Sequence, residues 1–274
     1  MGFPLAFVAL PLYVVLPHHY ANSYALPLSW IGALLLATRL GDAFIDPWLG
    51  RCTDGWFAQA STRVLAWARA CSVLLSGGLV LLFFPHWLTG NSVTIETLLL
   101  LMLAALVVSY LSYSFLNIAL QTWGARLAGD AQMRSRLVGW REGLGLAGVI
   151  LASLVPGLLG MEALVSGFAV LLGLSLWAWW YAPRPVALHD AAALPLRQSM
   201  LQPWRNAGFR RLLLVFMLNG IASAIPATLM LFFVEDRLQL PQSLQSQFLG
   251  AYFLAAAVSM PLWLIWCPTP AFSS

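Results

Sequence analysis

Residues 95–121 read IETLLLLMLAALVVSYLSYSFLNIALQ, and after Glu96 this run contains only uncharged side chains. About 20 apolar residues in a helix cross the hydrocarbon core of a bilayer, so the run predicts a membrane-spanning helix. The whole chain has the same character, because 61% of its 274 residues are hydrophobic and 9% are charged, against about 25% charged residues in soluble domains. The composition therefore predicts an all-α integral membrane protein and excludes a soluble or disordered chain.

Eight stretches of the chain are apolar enough to predict membrane helices. They lie at 3–17, 27–49, 64–84, 95–121, 141–159, 162–182, 210–234 and 246–267. The first is the shortest, and it places His18 and His19 in a solvated external turn. Around the start of the fifth, Gly139, Gly143 and Ala147 have the small-xxx-small spacing that predicts close helix packing.

The longest connection, 183–209, divides the predicted helices into six and two. Four prolines interrupt it, so no long helix is expected there. A six-helix unit, a linker and the start of a second unit is the arrangement of two-half transporters. We therefore expect a six-helix bundle at 1–182, a cytoplasmic linker at 183–209 and the first two helices of an incomplete bundle at 210–274. About eight of the twelve helices of such a transporter would be present, which predicts a C-terminally truncated chain.

All fourteen basic side chains are arginines, and their distribution predicts the orientation in the membrane. Twelve lie at the even-to-odd connections, namely Arg51, Arg63, Arg69, Arg126, Arg134, Arg136, Arg141, Arg184, Arg197, Arg205, Arg210 and Arg211. Cytoplasmic loops carry an excess of basic residues, so the N-terminus is predicted to be cytoplasmic, in a bacterial-type inner membrane. Arginines spread in this way around helix ends do not form the basic face of a nucleic-acid-binding protein.

The predicted second helix carries three charged residues on one face. Arg39, Asp42 and Asp46 are spaced i, i+3 and i+7, which stacks them above one another. An unpaired charge at the centre of a membrane helix costs about 2.5–3.5 kcal/mol, so this face is expected to look into the bundle or a wet cavity. One arginine and two aspartates leave a net charge of −1, which a small cation or a proton can neutralise. The alternative is a structural ion pair near the cytoplasmic end of the helix.

Polar side chains also recur along the predicted fourth helix at helical spacing. They are Tyr110, Tyr113, Ser114, Asn117 and Gln121. Such a stripe either joins helices through hydrogen bonds or lines a cavity, and its nearness to the charged face favours a cavity.

The string Arg39-x-x-Asp42-Ala-x-x-Asp46-Pro-x-x-Gly-x-x-x-Asp54 resembles the helix 2 signature of the glycoside–pentoside–hexuronide:cation symporters, the melibiose-permease-like branch of the major facilitator superfamily. Residues 113–119, YSFLNIA, and 134–141, RSRLVGWR, are similar to the helix 4 and helix 5 regions of that family. The resemblance implies a major-facilitator-type helical bundle. It also implies Na⁺- or H⁺-coupled symport of a sugar or related small polar solute by alternating access.

The resemblance also implies roles for single residues of the charged face. Asp42 and Asp46 match the two helix 2 carboxylates of the cation site, which would be a monovalent metal site if the ion is Na⁺. Ser114 falls where a helix 4 hydroxyl completes that site. We interpret Arg39 as the modulator of the site's charge.

Three further residues are candidate substrate contacts. Arg141 matches a helix 5 arginine near the substrate cavity, and Asn117 falls at the position of a sugar-binding carboxylate of the family. Tyr113 is the third. The family's helix 1 carboxylate has no acidic match in 3–17.

Two other interpretations remain open at the level of sequence. An integral-membrane, Mg²⁺-dependent prenyl or phosphoalcohol transferase uses aspartate-rich helix ends to hold a diphosphate, and Asp42-x-x-x-Asp46 could mimic one such motif. The other aspartates are scattered singly, so a second cluster is missing. The chain could also be an inactive, truncated remnant of a transporter. We expect a transporter and not an enzyme, with no cofactor beyond the coupling ion. The expected partners are a carbohydrate-like solute and lipid, with no obligate protein partner.

Overall fold

The structure is a computed structural model that describes residues 1–24, 26–89, 94–127, 131–185 and 203–239, with short pieces between 244 and 259. Every regular element within these residues is a helix. Six of the described helical segments are long and apolar enough to cross a membrane. The predicted all-α membrane fold is therefore confirmed.

The described α-helices are numbered in chain order. They are α1 (Gly2–Leu10), α2 (Leu16–Tyr24), α3 (Leu28–Gln59), α4 (Ser61–Phe83), α5 (His86–Thr89), α6 (Ile95–Leu127), α7 (Ala131–Trp180) and α8 (Ala207–Asp236). Seven of the eight predicted spans correspond to parts of these helices. The eighth, 246–267, lies largely outside the described residues, as does most of the predicted linker at 183–209.

The first membrane span is longer than its apolar run. It extends continuously from Gly2 to Tyr24, so the predicted end at residue 17 is wrong. Pro11 has no N–H to donate to the carbonyl four residues earlier, and the turn from Pro11 to Val15 adopts π-helical geometry without ending the helix. The predicted external turn is wrong as well, because the helix continues through His18, which is 5% exposed.

Helices α3 and α6 also extend beyond their predicted spans. α3 ends at Gln59 and not near residue 49, and α6 ends at Leu127 and not near 121. At 1.5 Å per residue, the 32 residues of α3 measure about 48 Å, which exceeds the hydrocarbon core of about 30 Å. The additional turns are polar, so the hydropathy of the sequence gave no sign of them.

Helices α3 and α6 lie side by side and run in the same direction. Near their C-terminal ends, the Arg126 guanidinium donates to Asp54 Oδ1 at 2.9 Å and lies over the ring of Phe57. Earlier in both helices, Thr38 of α3 and Tyr110 of α6 line a common cavity. Early residues of α3 therefore face early residues of α6, and late residues face late ones.

Helix α7 contains both the fifth and the sixth predicted spans. It begins at Ala131, ten residues before the predicted start. It is broken at Gly160, whose φ of +86° is a left-handed conformation that favours glycine. The break separates the spans predicted at 141–159 and 162–182.

Helix α7 approaches α1 closely at Gly148. A Cβ atom there would lie 2.5 Å from the Phe3 carbonyl oxygen, whereas a Cβ at Gly139 or Gly143 would meet no described atom within 4 Å. The packing stripe predicted at 139, 143 and 147 is therefore wrong. Small-residue spacing predicts a smooth helix face, but it does not say which face meets a neighbour.

Candidate functional site

Asp42 lines a cavity of about 150 Å³ between α3 and α6. It is 9% exposed, and most of the other lining residues are apolar. These are Ala37, Thr38, Gly41, Ile45, Leu103, Val107, Tyr110 and Leu111. The Thr38 hydroxyl donates to carbonyls of its own helix, so it does not donate to Asp42. A carboxylate in such surroundings within a membrane needs a counter-charge or a proton.

Asp46 lies one helical turn after Asp42, about 6 Å further along the axis. Its Oδ1 atom is buried and has no hydrogen-bond partner among the residues that the structure describes. Burying a carboxylate oxygen without a donor is costly, and a bound cation or a proton removes that cost. Oxygen ligands are those that small hard cations prefer, so the two aspartates fit such an ion chemically.

Arg39 does not neutralise these carboxylates by direct contact. Within the described part of the chain it forms no ion pair with Asp42 or Asp46. Its guanidinium carbon lies 3.8 Å from the centre of the Tyr13 ring and 5.4 Å from that of Tyr110. The structural ion pair that we considered for this face is therefore not formed.

Ser114 lies near the level of Asp46 along the helix pair. Asp42 and Tyr110 line the same cavity, and Asp46 and Ser114 each follow by one turn on parallel helices. No hydrogen bond joins Ser114 to either aspartate in the described structure. Its role as a neutral ligand of the cation stays a prediction.

A second cavity, of about 210 Å³, is lined by residues of α1, α6 and α7. It brings together Tyr113, Asn117 and Arg141, the three predicted substrate contacts, and we call it the solute cavity. The remaining lining residues are Gly2, Leu5, Ala6, Leu120, Gln121, Glu142 and Gly145. The role of Tyr113, Asn117 and Arg141 in binding stays a prediction. To bind one solute together, the three residues must line the same cavity, as they do here.

Two polar side chains of the solute cavity, Arg141 and Asn117, form hydrogen bonds with neighbouring side chains. The Arg141 Nε and Nη2 atoms donate to Glu142 Oε1 at 3.1 and 2.5 Å. Gln121 Nε2 donates to Asn117 Oδ1 at 3.1 Å. The charge of Arg141 is thus balanced locally, and Asn117 keeps its own N–H groups as donors.

A third cavity, of about 250 Å³, adjoins the solute cavity. Both are lined by Leu120, Gln121 and Arg141, and the third cavity is also lined by Arg134. The lining therefore passes from Arg141 toward the connection between α6 and α7.

Residues 1–266 match the family described as MFS/sugar transport protein. The chain belongs to this family. No curated protein and no solved structure matches it.

The MFS/sugar transport family lies in the major facilitator superfamily, as the helix 2 string predicts, and its members are membrane transporters. With the six described spans, membership makes the chain an integral, multi-pass membrane protein whose substrate is a small molecule. The transferase alternative has no support in this match. Among the described residues, no group of three or more His, Cys, Asp or Glu side chains is arranged to hold a metal ion.

Two residues that contact the candidate site residues were not predicted from the sequence. Tyr13 contacts Arg39, but the sequence contains no sign of that contact, because the two residues lie on different helices. Glu142 pairs with Arg141, and its position next to an arginine in the sequence was the available signal.

Proposed function

We propose that the chain is a cation-coupled secondary transporter that moves a sugar or related small polar solute by alternating access. The coupling ion is Na⁺ or H⁺, and it occupies the site of Asp42 and Asp46. The observation that carries the proposal is the pair of carboxylates in the membrane-spanning helix α3. One lines a small, largely apolar cavity, and the other has a buried oxygen without a donor.

The volume and the lining of the solute cavity support the proposal that the solute is small and polar. Its volume of about 210 Å³ is below the range of about 300–1,000 Å³ typical of sites for drug-sized ligands. Arg141, Asn117 and Tyr113 offer hydrogen-bond donors, and Tyr113 also offers a ring face on which a sugar can pack. The family description, which names sugar transport, agrees with a carbohydrate-like solute.

The proposal also includes the orientation of the chain in the membrane and the branch of the family to which it belongs. The arginine distribution supports a cytoplasmic N-terminus in an inner membrane. The helix 2 string and the placement of Tyr113, Asn117 and Arg141 support a melibiose-permease-like transporter within the family.

Energy for accumulation comes from the ion gradient in this proposal. An ion held by Asp42 and Asp46 neutralises the net −1 charge of the face, and the neutral site can then change its exposure across the membrane at lower electrostatic cost. Binding of the solute in the neighbouring cavity favours the same change. Each ligand therefore increases the affinity for the other.

The test is uptake by proteoliposomes that contain the purified full-length transporter. The solutes are p-nitrophenyl glycosides of glucose, galactose, xylose and glucuronic acid, each under an imposed Na⁺ or H⁺ gradient. We expect one or more of them to accumulate, and accumulation to be lost in Asp42→Asn and Asp46→Asn because each removes a charge from the cation site. Asp54→Asn is the matched control, since Asp54 lies on the same helix and pairs with Arg126. Accumulation that survives both site variants, or uptake that ignores both gradients, would refute the proposal.

A further inference from the structure

Two tyrosines hold the guanidinium of Arg39. Its Cζ atom lies 3.8 Å from the Tyr13 ring centre and 5.4 Å from that of Tyr110. The two rings stack on each other at 5.7 Å with an interplanar angle of 13°. A guanidinium over a tyrosine ring is a favourable cation–π contact, and its strength rises when water is excluded.

The position of Arg39 needs such an explanation. Arg39 precedes Asp42 by three residues on one helix, a spacing at which opposite charges normally pair. An arginine on the carboxylates would occupy the place of the transported cation. The tyrosine rings therefore hold the competing positive charge away from the site.

Tyr13 also contacts a residue that lines the solute cavity. Its ring meets the ring of Tyr113 edge-on at 6.3 Å, and Tyr113 lines that cavity. Tyr110, whose ring stacks on that of Tyr13, lines the cavity of Asp42. One side chain thus contacts a residue of each cavity. It belongs to the π-helical turn from Pro11 to Val15, a type of turn that occurs frequently at functional sites.

We propose that Tyr13 is a positioning residue that keeps Arg39 off Asp42 and Asp46 and that links the occupancy of the solute cavity to the charge of the cation site. The inference rests on the proposed function, because it assigns a regulator to the same cation site. A solute that packs against Tyr113 holds the Tyr13 ring in place, and the ring holds the guanidinium away from the carboxylates. When the ring is displaced, Arg39 pairs with a carboxylate and the affinity for the cation falls, so a bound solute raises that affinity. Coupling of this kind is reciprocal between the two ligands.

The experiment measures how fast dicyclohexylcarbodiimide labels Asp42 and Asp46 in the purified chain in lipid nanodiscs. This reagent reacts with protonated carboxyl groups within membranes, and the labelled peptides are quantified by mass spectrometry. In Tyr13→Leu, Arg39 is released and keeps a carboxylate ionised, so labelling should slow by about two- to thirtyfold, the range that loss of one cation–π contact supplies. Tyr13→Phe retains the ring and should label at a rate near that of the wild type.

A second substitution separates positioning from simple damage to the fold. In the double variant Tyr13→Leu/Arg39→Gln the competing charge is absent, so labelling should return to the rate of Arg39→Gln alone. Slow labelling that persists in the double variant would overturn the inference. Tyr24→Leu is the matched control, because Tyr24 lies in the same membrane span and its ring contacts are with His19 and Tyr20.

The solute arm uses the four p-nitrophenyl glycosides. A glycoside that is taken up should change the labelling rate of the wild type and leave that of Tyr13→Leu unchanged. If wild-type uptake depends on a gradient but Tyr13→Leu labels at the wild-type rate, this inference fails and the proposed function stands. If wild-type uptake ignores both the Na⁺ and the H⁺ gradient, the proposed function fails and the inference falls with it.

Discussion

Replacing Gly148 with alanine is expected to loosen the contact between α1 and α7. The new Cβ atom would lie 2.5 Å from the Phe3 carbonyl oxygen and 3.2 Å from the Phe7 backbone nitrogen. Both are backbone atoms, so no side-chain rotation relieves the clash and the helices must move apart. Overpacking of this kind costs about 1–3 kcal/mol, and the better helix propensity of alanine offsets at most about 1 kcal/mol. After that offset we expect a net loss of up to about 2 kcal/mol in the free energy of unfolding.

The assay is unfolding of the purified chain in mild detergent by added sodium dodecyl sulfate, followed by circular dichroism. Gly143→Ala is the matched control, because it makes the same change on the same helix at a position where a Cβ meets no described atom within 4 Å. That variant should be as stable as the wild type, or more stable by up to about 1 kcal/mol. Equal stabilities of Gly148→Ala and Gly143→Ala would refute the close approach of α1 and α7.

Two further predictions concern single hydrogen-bonding groups. Asn117→Ala should weaken binding of the transported glycoside by one or two neutral hydrogen bonds, about 0.5–1.5 kcal/mol each, in isothermal titration calorimetry. Complete loss of binding would show that Asn117 does more than donate neutral hydrogen bonds. Trp123→Phe keeps an aromatic ring against Phe57 and Trp179 but removes the indole N–H that donates to the Pro183 carbonyl at 3.1 Å. Its free energy of unfolding should fall by about 0.5–1.5 kcal/mol, and a stability equal to that of the wild type would contradict a role for this bond in anchoring the end of α7.

The spans could be predicted because burial in lipid requires long apolar helices. The run 95–121 lies entirely within α6, and the string from Arg39 to Asp54 lies within α3. The helix ends could not be predicted, since polar turns continue a helix beyond the membrane without an apolar signal. His18 and His19 misled the prediction for the first span, because two polar residues after an apolar run were interpreted as an external turn, whereas the helix continues to Tyr24.

The candidate site was predictable in its residues and not in its contacts. Spacing along one helix placed Asp42 and Asp46 on one face, and the resemblance selected Asn117 and Arg141. Contacts between helices depend on how far each helix is rotated and shifted against its neighbour, which hydrophobic periodicity does not determine. For that reason the sequence did not indicate that Tyr13 contacts Arg39.

The coupling of solute movement to a cation at Asp42 and Asp46 is tested most directly by measuring whether entry of the solute drives entry of the ion. Proteoliposomes with no imposed ion gradient receive the transported glycoside on the outside, while entrapped dyes follow internal pH and internal Na⁺. We predict that glycoside entry draws in H⁺ or Na⁺ in the wild type and in Asp54→Asn, and that this ion entry is lost in Asp42→Asn. Glycoside entry without any ion movement in the wild type, or ion entry that is unchanged in Asp42→Asn, would contradict the account.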